Sequence, residues 1–168
     1  MARADACSFG GEPLWSVDSE AYPLGCEFSE HISGSRYLTA CPDRRCSCYK
    51  GPIGVYGPAC GLDSVHFTWT ATEYLTMVLL LNQTRLPFEA IFLLRFQNFT
   101  SAIAHGAYGD LCSARDLATM PLLRRFARLL QRAHAGEAPP GPRLSRAALV
   151  QQCQAAIGRH LVADQLHW

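Results

Sequence analysis

The chain has 168 residues and a mass of 18.5 kDa, which is the size of one domain. Hydrophobic residues make up 49% and charged residues 17% of it, so the composition favours a packed core over intrinsic disorder. The formal net charge of +1 gives no overall electrostatic reason to bind nucleic acid or anionic lipid. The first residues lack the apolar segment of a secretory signal, and the longest apolar run, Met77–Leu81, is far shorter than the ~20 residues that span a bilayer. We therefore expect a cytoplasmic protein that binds neither nucleic acid nor membrane.

Residues 1–60 are rich in Gly, Pro, Ser and Cys and show little periodicity, which is typical of loops. Six of the eight cysteines lie in this segment, and a cytoplasmic location predicts that they are reduced thiols. Their density also leaves open a structural zinc site, although the C-x2-C pairs of the zinc families are absent. The candidate zinc ligands are Cys41, Cys46, Cys48 and either Cys60 or His31.

From residue 61 onward, apolar side chains recur at helical spacing. The pattern predicts a helix over 64–81, a second over 87–98 that begins at a proline, and a third over 121–134 that ends near Gly136. The predicted inward-facing residues are Phe67, Ala71, Tyr74, Leu75 and Val78 in the first helix, Ala90, Leu93, Leu94 and Gln97 in the second, and Leu122, Leu123, Phe126, Leu129 and Leu130 in the third.

A Gly- and Pro-rich linker over 136–143 separates these helices from a last one, for which Ser145 is the predicted N-cap. The last helix has an apolar stripe of Leu149, Cys153, Ala156, Ile157 and Leu161. Convincing alternating strands are not visible in the sequence. We therefore predict a single, mostly α domain made of a loop-rich segment (1–60), a helical region (61–135), the linker (136–143) and a C-terminal helical segment (144–168).

The sequence contains none of the common catalytic patterns. It has no G-x-S-x-G nucleophile motif, no phosphate-binding loop and no dinucleotide-binding glycine pattern. Its six histidines are scattered, and none is paired with an acidic residue at the spacing of helical metal ligands. The residues alone therefore predict no active site.

Ordered blocks of the sequence nevertheless resemble the myo-inositol oxygenase family, from about Gly10 to about His134. The blocks include Gly11–Trp15, Pro23–Cys26, Gly54–Val65, Trp69-x3-Glu73-Tyr74, Leu86-Pro-x-Glu-Ala90, Arg95-Phe96, Leu111-Cys112, Asp116-Leu-Ala-x-x-Pro121 and Arg124-x-Phe126. The resemblance implies the carboxy-terminal part of an HD-domain-like helical bundle. It also implies a family reaction in which a centre of two iron ions uses O2 to cleave myo-inositol to D-glucuronate.

Three positions that carry iron ligands in the family are occupied here by Ala71, Gln97 and Leu130. All three lie on the predicted inward-facing stripes. Alanine and leucine cannot coordinate a metal, and a glutamine amide oxygen is a poor substitute for imidazole. The family's amino-terminal half, which supplies a His, a His-Asp pair and a substrate-binding Lys, has no counterpart in this sequence. We therefore expect a truncated, inactive family member that binds no iron.

The family positions that bind substrate correspond to Asn98, Glu20 and His134, and myo-inositol is the expected ligand only if the family function is retained. Two alternatives remain open: an active oxygenase whose missing half comes from another chain, and a small zinc-binding interaction module. The missing helices also predict exposed apolar faces at Leu123–Phe126–Leu130 and at Met77–Leu81. The chain would then self-associate or bind a protein partner through these faces, repack around a smaller core with its C-terminal helix, or be unstable.

Overall fold

The computed structural model describes residues 20–137 and 144–161. Within these ranges five α-helices follow a loop-rich first part, which confirms the mostly α architecture. The helices are α1 (Ala71–Leu81), α2 (Phe88–Phe96), α3 (Thr100–His105), α4 (Ala114–His134) and α5 (Arg146–His160). Short 3-10 turns lie at Ser35–Ala40, Pro42–Arg45, Ser47–Tyr49, Leu62–Ser64 and Gly109–Leu111. None of the described helices is long and apolar enough to cross a membrane.

Helix α1 begins later than the sequence predicts. Thr70 is its N-cap, and the Thr70 Oγ1 atom accepts a hydrogen bond from the Glu73 backbone N–H at 3.2 Å. The preceding residues 66–68 are extended and lie against residues 22–24, where Leu24 N–H donates to the His66 carbonyl at 2.8 Å. These backbone groups bond to another segment and are not free to continue a helix, so the predicted start at residue 64 is wrong.

Helix α4 begins earlier than the sequence predicts. Ser113 and Asp116 form a capping box, in which each side chain accepts a hydrogen bond from the other residue's backbone N–H. Pro121, taken as a first-turn residue from the sequence, therefore lies inside the helix. The predicted end is correct, because α4 stops at His134 and Gly136 adopts the left-handed φ of 77°.

A cluster of aromatic side chains forms the core between α2, α3, α4 and the loop before α1. Its central members, Phe92, Phe96 and Phe99, are 1%, 1% and 0% exposed. Phe67 packs against this cluster, with its ring centroid 5.1 Å from that of Phe96. Leu123 of α4 is fully buried, so the expectation that the Leu123–Phe126–Leu130 stripe lies exposed is wrong: α2 and α3 both pack against α4.

The apolar face predicted for α1 is also only partly correct. Val78 is buried as predicted, whereas Ala71, Tyr74 and Leu75 are exposed. The other buried residues of α1 are Thr76 and Leu79. In α2 the deeply buried residues are likewise Phe92 and Phe96, whereas the predicted residues Ala90, Leu93, Leu94 and Gln97 are half-buried.

The last helix agrees with the sequence in its start and differs in its burial. Ser145 caps α5, and its Oγ atom accepts a hydrogen bond from Ala148 N–H at 3.2 Å. No residue of α5 is buried. Most of the predicted linker, residues 138–143, lies outside the described residues, as do residues 1–19 and 162–168.

Candidate functional site

The three positions assigned to iron ligands fall at the ends of three different helices. Ala71 is the first residue of α1 and is exposed, whereas Gln97 follows α2 and Leu130 lies in the last part of α4, both half-buried. The prediction that all three face inward is therefore wrong for Ala71, because the buried side of α1 is formed by other residues. The Gln97 amide Nε2 donates to the Leu94 carbonyl oxygen at 3.0 Å.

An ion-pair clamp, made of Arg95, Glu73 and Asp63, holds α1 beside α2. The Arg95 guanidinium donates two hydrogen bonds of 2.8 Å to the two carboxylate oxygens of Glu73, and a third of 3.1 Å to Asp63 Oδ1. The Arg95 and Glu73 side chains are only 12% and 14% exposed, so the bidentate pair is protected from solvent screening. The clamp keeps the start of α1 and the end of α2, and with them positions 71 and 97, at the same end of the bundle.

In the sequence, Glu73 and Arg95 stand out only as parts of the family motifs, and the ion pair between them is not predicted. Both residues lie in otherwise apolar helical runs, and a buried charge requires a partner. Two opposite charges in neighbouring apolar helices therefore predict an ion pair between them. A third link joins the same helices, since Thr72 Oγ1 donates to the Arg95 carbonyl at 3.2 Å.

Glu20 is a buried structural carboxylate, only 7% exposed. One of its oxygens accepts from Ser33 N–H at 2.6 Å, and the other accepts from Ser101 N–H in the first turn of α3 at 3.1 Å. A carboxylate that contacts the N-terminus of a helix also interacts favourably with the helix dipole. Glu20 therefore joins the loop around residue 33 to the start of α3.

The structure brings two of the three expected substrate positions together and leaves the third undescribed. The Asn98 carbonyl oxygen accepts from Ala21 N–H at 3.0 Å, so Asn98 lies beside the residue that follows Glu20. His134 ends α4, and its side chain lies outside the described part of the chain.

A cleft of about 260 Å³ opens next to Glu20. Trp69 and Tyr37 line it and are 69% and 51% exposed, which gives the cleft an aromatic rim. The two threonine hydroxyls in its wall already take part in hydrogen bonds: Thr68 Oγ1 donates to the Glu20 carbonyl at 3.0 Å, and Thr70 Oγ1 pairs with Thr72 Oγ1 at 2.9 Å. Neither Asn98 nor any of the three iron positions lines this cleft.

The candidate zinc ligands have other contacts in the structure, and Cys41 is a half-buried cysteine outside any disulfide bond. Cys46 and Cys48 form a disulfide bond with each other, so the expectation of reduced thiols is wrong for this pair. The Cys60 thiol points to the carbonyls of Gly61 and Leu111, and the His31 ring stacks on His105 at a centroid distance of 4.1 Å. Within residues 20–137 and 144–161, no group of three or more His, Cys, Asp or Glu side chains could hold a metal ion.

The buried thiols do not have the character of nucleophiles. Desolvation by burial, with a smaller contribution from the Glu27 charge, raises the pKa of Cys26 to about 11. Desolvation, together with the nearby Asp116, raises the pKa of Cys112 to about 11 as well. A reactive cysteine needs the thiolate and therefore a lowered pKa. Burial also raises the pKa of Tyr108, whose hydroxyl oxygen accepts from Ser29 N–H at 2.8 Å.

The described residues form a mostly helical domain in which the start of α1 and the end of α2 are joined by the ion-pair clamp. The sequence profile of the family described as "Myo-inositol oxygenase" matches residues 5–136, which is most of the chain. The chain therefore belongs to the myo-inositol oxygenase family.

Individual relatives agree with this assignment. The chain is 36% identical over 118 residues to inositol oxygenase of Homo sapiens, and 34% identical over 119 residues to inositol oxygenase 1 of Arabidopsis thaliana. These matches cover 69% and 71% of this chain, but only 41% and 38% of the two relatives. The chain thus spans about 40% of the length of the relatives that it matches.

Proposed function

We propose that this chain is a cytoplasmic, non-catalytic member of the inositol oxygenase family. The single observation that carries the proposal is the identity of three residues, Ala71, Gln97 and Leu130, at the positions that the resemblance assigns to iron ligands of the family. Family membership supports the ancestry, and the donor chemistry of these residues supports the loss of the reaction.

The residues present do not fit a centre of two iron ions. Such a centre needs several anionic or imidazole donors to hold two cations. The side chains of Ala71 and Leu130 have no lone pair. Gln97 offers one neutral amide oxygen, and the nitrogen of the same amide is fixed on the Leu94 carbonyl. The side chains at these three positions therefore supply no negative charge and at most one weak metal ligand.

The helices around these positions are held together by side-chain contacts that do not require a metal. The ion-pair clamp joins α1 to α2, while Glu20 joins the loop at residue 33 to α3. We infer that the chain has kept the helical framework of the family. The protein would then act through this folded framework and not through catalysis.

Anaerobic titration with Fe(II), followed by desalting and iron analysis, tests the proposal. We expect no stoichiometric iron in this chain and no O2-dependent loss of myo-inositol. Mouse inositol oxygenase, a relative that is 35% identical over 118 residues, serves as the positive control. The triple variant A71H/Q97H/L130D is the matched control, and we expect it to retain more iron than the natural sequence. Two irons per natural chain would contradict the proposal.

The alternative of an enzyme completed by another chain is tested in the same assay. The separately purified amino-terminal half of the mouse relative is added to this chain together with iron. We expect no turnover of myo-inositol, because the added half cannot replace the donors missing at positions 71, 97 and 130. Turnover by the mixture, with neither part active alone, would favour the complemented enzyme.

A further inference from the structure

The disulfide bond between Cys46 and Cys48 lies in an exposed part of the chain, the turn segment (residues 42–50). Cys46 separates the 3-10 turn Pro42–Arg45 from the 3-10 turn Ser47–Tyr49, and Cys48 lies within the second of these turns. No residue of the turn segment is buried; Cys48 is exposed and Cys46 is half-buried. A small molecule in solution therefore has access to the bond without any opening of the core.

The bond contributes little to holding the fold together. Its two cysteines are two positions apart in the sequence, with their Cα atoms 5.4 Å apart, so the closed ring encloses only Ser47. The stabilisation that a disulfide gives by restricting the unfolded chain grows with the length of the loop that it closes. The same residues are also held by turn hydrogen bonds, from Cys46 N–H to the Asp43 carbonyl at 3.0 Å and from Tyr49 N–H to the Cys46 carbonyl at 3.2 Å. An exposed disulfide of this kind is typical of labile, regulatory or catalytic bonds and not of structural ones.

Basic residues flank the two cysteines in the sequence. Arg44 and Arg45 directly precede Cys46, and Lys50 lies two residues after Cys48. All three basic side chains are exposed, and the turn segment contains only one acidic residue. Cationic neighbours favour the thiolate form of a cysteine, which is the leaving group when a disulfide is opened by another thiol. The charges along the turn segment therefore favour thiol–disulfide exchange.

A third cysteine, Cys41, is close in sequence and is not part of the bond. It is a free, half-buried cysteine, and its carbonyl accepts from Arg44 N–H at 3.2 Å at the start of the turn Pro42–Arg45. Five residues of 3-10 helix place the Cα atoms of Cys41 and Cys46 about 10 Å apart, whereas a disulfide needs less than about 7 Å. Cys41 is therefore a matched control of the same residue type beside the bonded pair.

We propose that Cys46 and Cys48 form a redox-active pair that exchanges with low-molecular-weight thiols, and that reduction of the pair loosens the turn segment. The thiolate of one small molecule attacks Sγ of Cys48, the more exposed cysteine, and Cys46 leaves as a thiolate. A second small thiol attacks the small-molecule sulfur of the mixed disulfide and releases Cys48. Two electrons and two protons pass from the small thiols to the protein, giving two cysteine thiols and one small-molecule disulfide.

Reduction is expected to change the turn segment and to leave the aromatic core intact. The segment is followed by Gly51, whose carbonyl accepts from Glu27 N–H at 3.1 Å, so its end stays attached to the body. None of the three 3-10 turns over residues 35–49 has a buried residue, and they contribute nothing to the core. The change is therefore local, and it does not depend on the loss of iron donors at positions 71, 97 and 130.

Equilibration of the full chain in glutathione buffers tests the exchange. After acid quenching, alkylation of the thiols and mass spectrometry of peptides report the fraction of Cys46 and Cys48 that is bonded. We expect both to change together and reversibly, from about 90% to about 10% bonded over a hundredfold change in the ratio of squared reduced to oxidised glutathione, as one two-electron couple requires. Cys41→Ser should titrate like the natural chain. A pair that stays bonded in reduced glutathione, or that forms no bond in oxidised glutathione, would overturn the proposal.

Limited digestion with trypsin tests the effect on the turn segment. Cleavage after Arg45 should be several-fold faster in the reduced chain than in the bonded chain, because the ring no longer restricts the backbone. Cleavage after Arg36, which is exposed and lies outside the turn segment, is the internal control and should not change. The double variant C46S/C48S should be cleaved like the reduced chain in either buffer, and C41S should respond like the natural chain. Equal rates after Arg45 in the two forms, or circular dichroism spectra that show unfolding on reduction, would contradict the proposal.

Discussion

The described chain contains two regions that differ in how far their apolar side chains are buried. One is a body with an aromatic core, and the other consists of the outer helices α1 and α5. In the body, three phenylalanines of α2 and the start of α3 are almost completely buried. In the outer pair, α1 exposes Met77, Leu80 and Leu81, and α5 has no buried residue at all. The body buries its aromatic side chains, whereas α1 and α5 leave large apolar side chains exposed to solvent. The difference shows that a well-packed core does not require every helix of the domain to be covered.

The two regions also differ in their polar groups. Buried carboxylates connect distant segments of the body: Asp116 of α4 binds Leu62 N–H at 2.9 Å, and Glu20 binds the loop at residue 33 and the start of α3. Helix α5, in contrast, is held at its end through the His160 carbonyl. Hydrogen bonds of buried charges stabilise a fold more than exposed ones because losing a partner leaves a group desolvated and unpaired.

The largest effect is expected for removing a core ring. Phe99→Ala deletes a side chain that is 0% exposed, and we expect it to lower the free energy of unfolding by about 4 kcal/mol, since the aromatic contacts are lost and a cavity remains. The measurement is urea unfolding followed by circular dichroism. Leu129→Ala, at a 50% exposed residue, is the control and should change the same quantity by about 0.5 kcal/mol or less. If both substitutions lower the free energy of unfolding by the same amount, the contrast between body and surface is refuted.

A smaller loss is expected for the buried carboxylate of α4. Asp116 Oδ2 accepts from Leu62 N–H, from Ser113 N–H at 2.8 Å and from Ser113 Oγ at 2.9 Å. Asp116→Ala leaves these donors without their acceptor, and we expect a loss of about 2–3 kcal/mol in the same unfolding experiment. Asp110→Ala, at an exposed position, should be nearly neutral. If Asp116→Ala is also nearly neutral, the carboxylate does not join the two segments.

A change in stability that depends on pH is expected from the buried thiols of the body. Their pKa values are raised from 9.0 to about 11 at Cys26 and Cys112, so the folded chain holds protons that the unfolded chain releases. The stabilisation is therefore complete below pH 9 and is lost as the pH rises from 9 to 11. Urea unfolding at about pH 8 and at intervals up to about pH 11 measures the decline.

Alkylation kinetics provide a second measurement on the same thiols. At about pH 8, below the raised pKa values, iodoacetamide should modify the exposed Cys153 of α5 much faster than Cys26 or Cys112, which mass spectrometry of peptides resolves. Rapid modification of the two body thiols under native conditions would show that the body opens readily and would remove the distinction between the regions.

Local signals in the sequence determined several features correctly. Ser145 fixes the start of α5 and Gly136 follows the end of α4, because capping depends on one or two residues and their neighbours. The family also follows from the sequence alone. Those features need only residue identity and order.

The buried faces, the start of two helices and the arrangement of the site were decided only by the tertiary structure. Helix α1 is apolar around most of its circumference, so periodicity could not distinguish the exposed Ala71 and Leu75 from the buried Val78. The contacts that decide it come from α2, through the clamp between Arg95 and Glu73. The bond from Leu62 N–H to Asp116 likewise joins residues 54 positions apart. The local sequence shows which side chains are apolar enough to favour burial. Only the packing of distant segments determines which of them are buried.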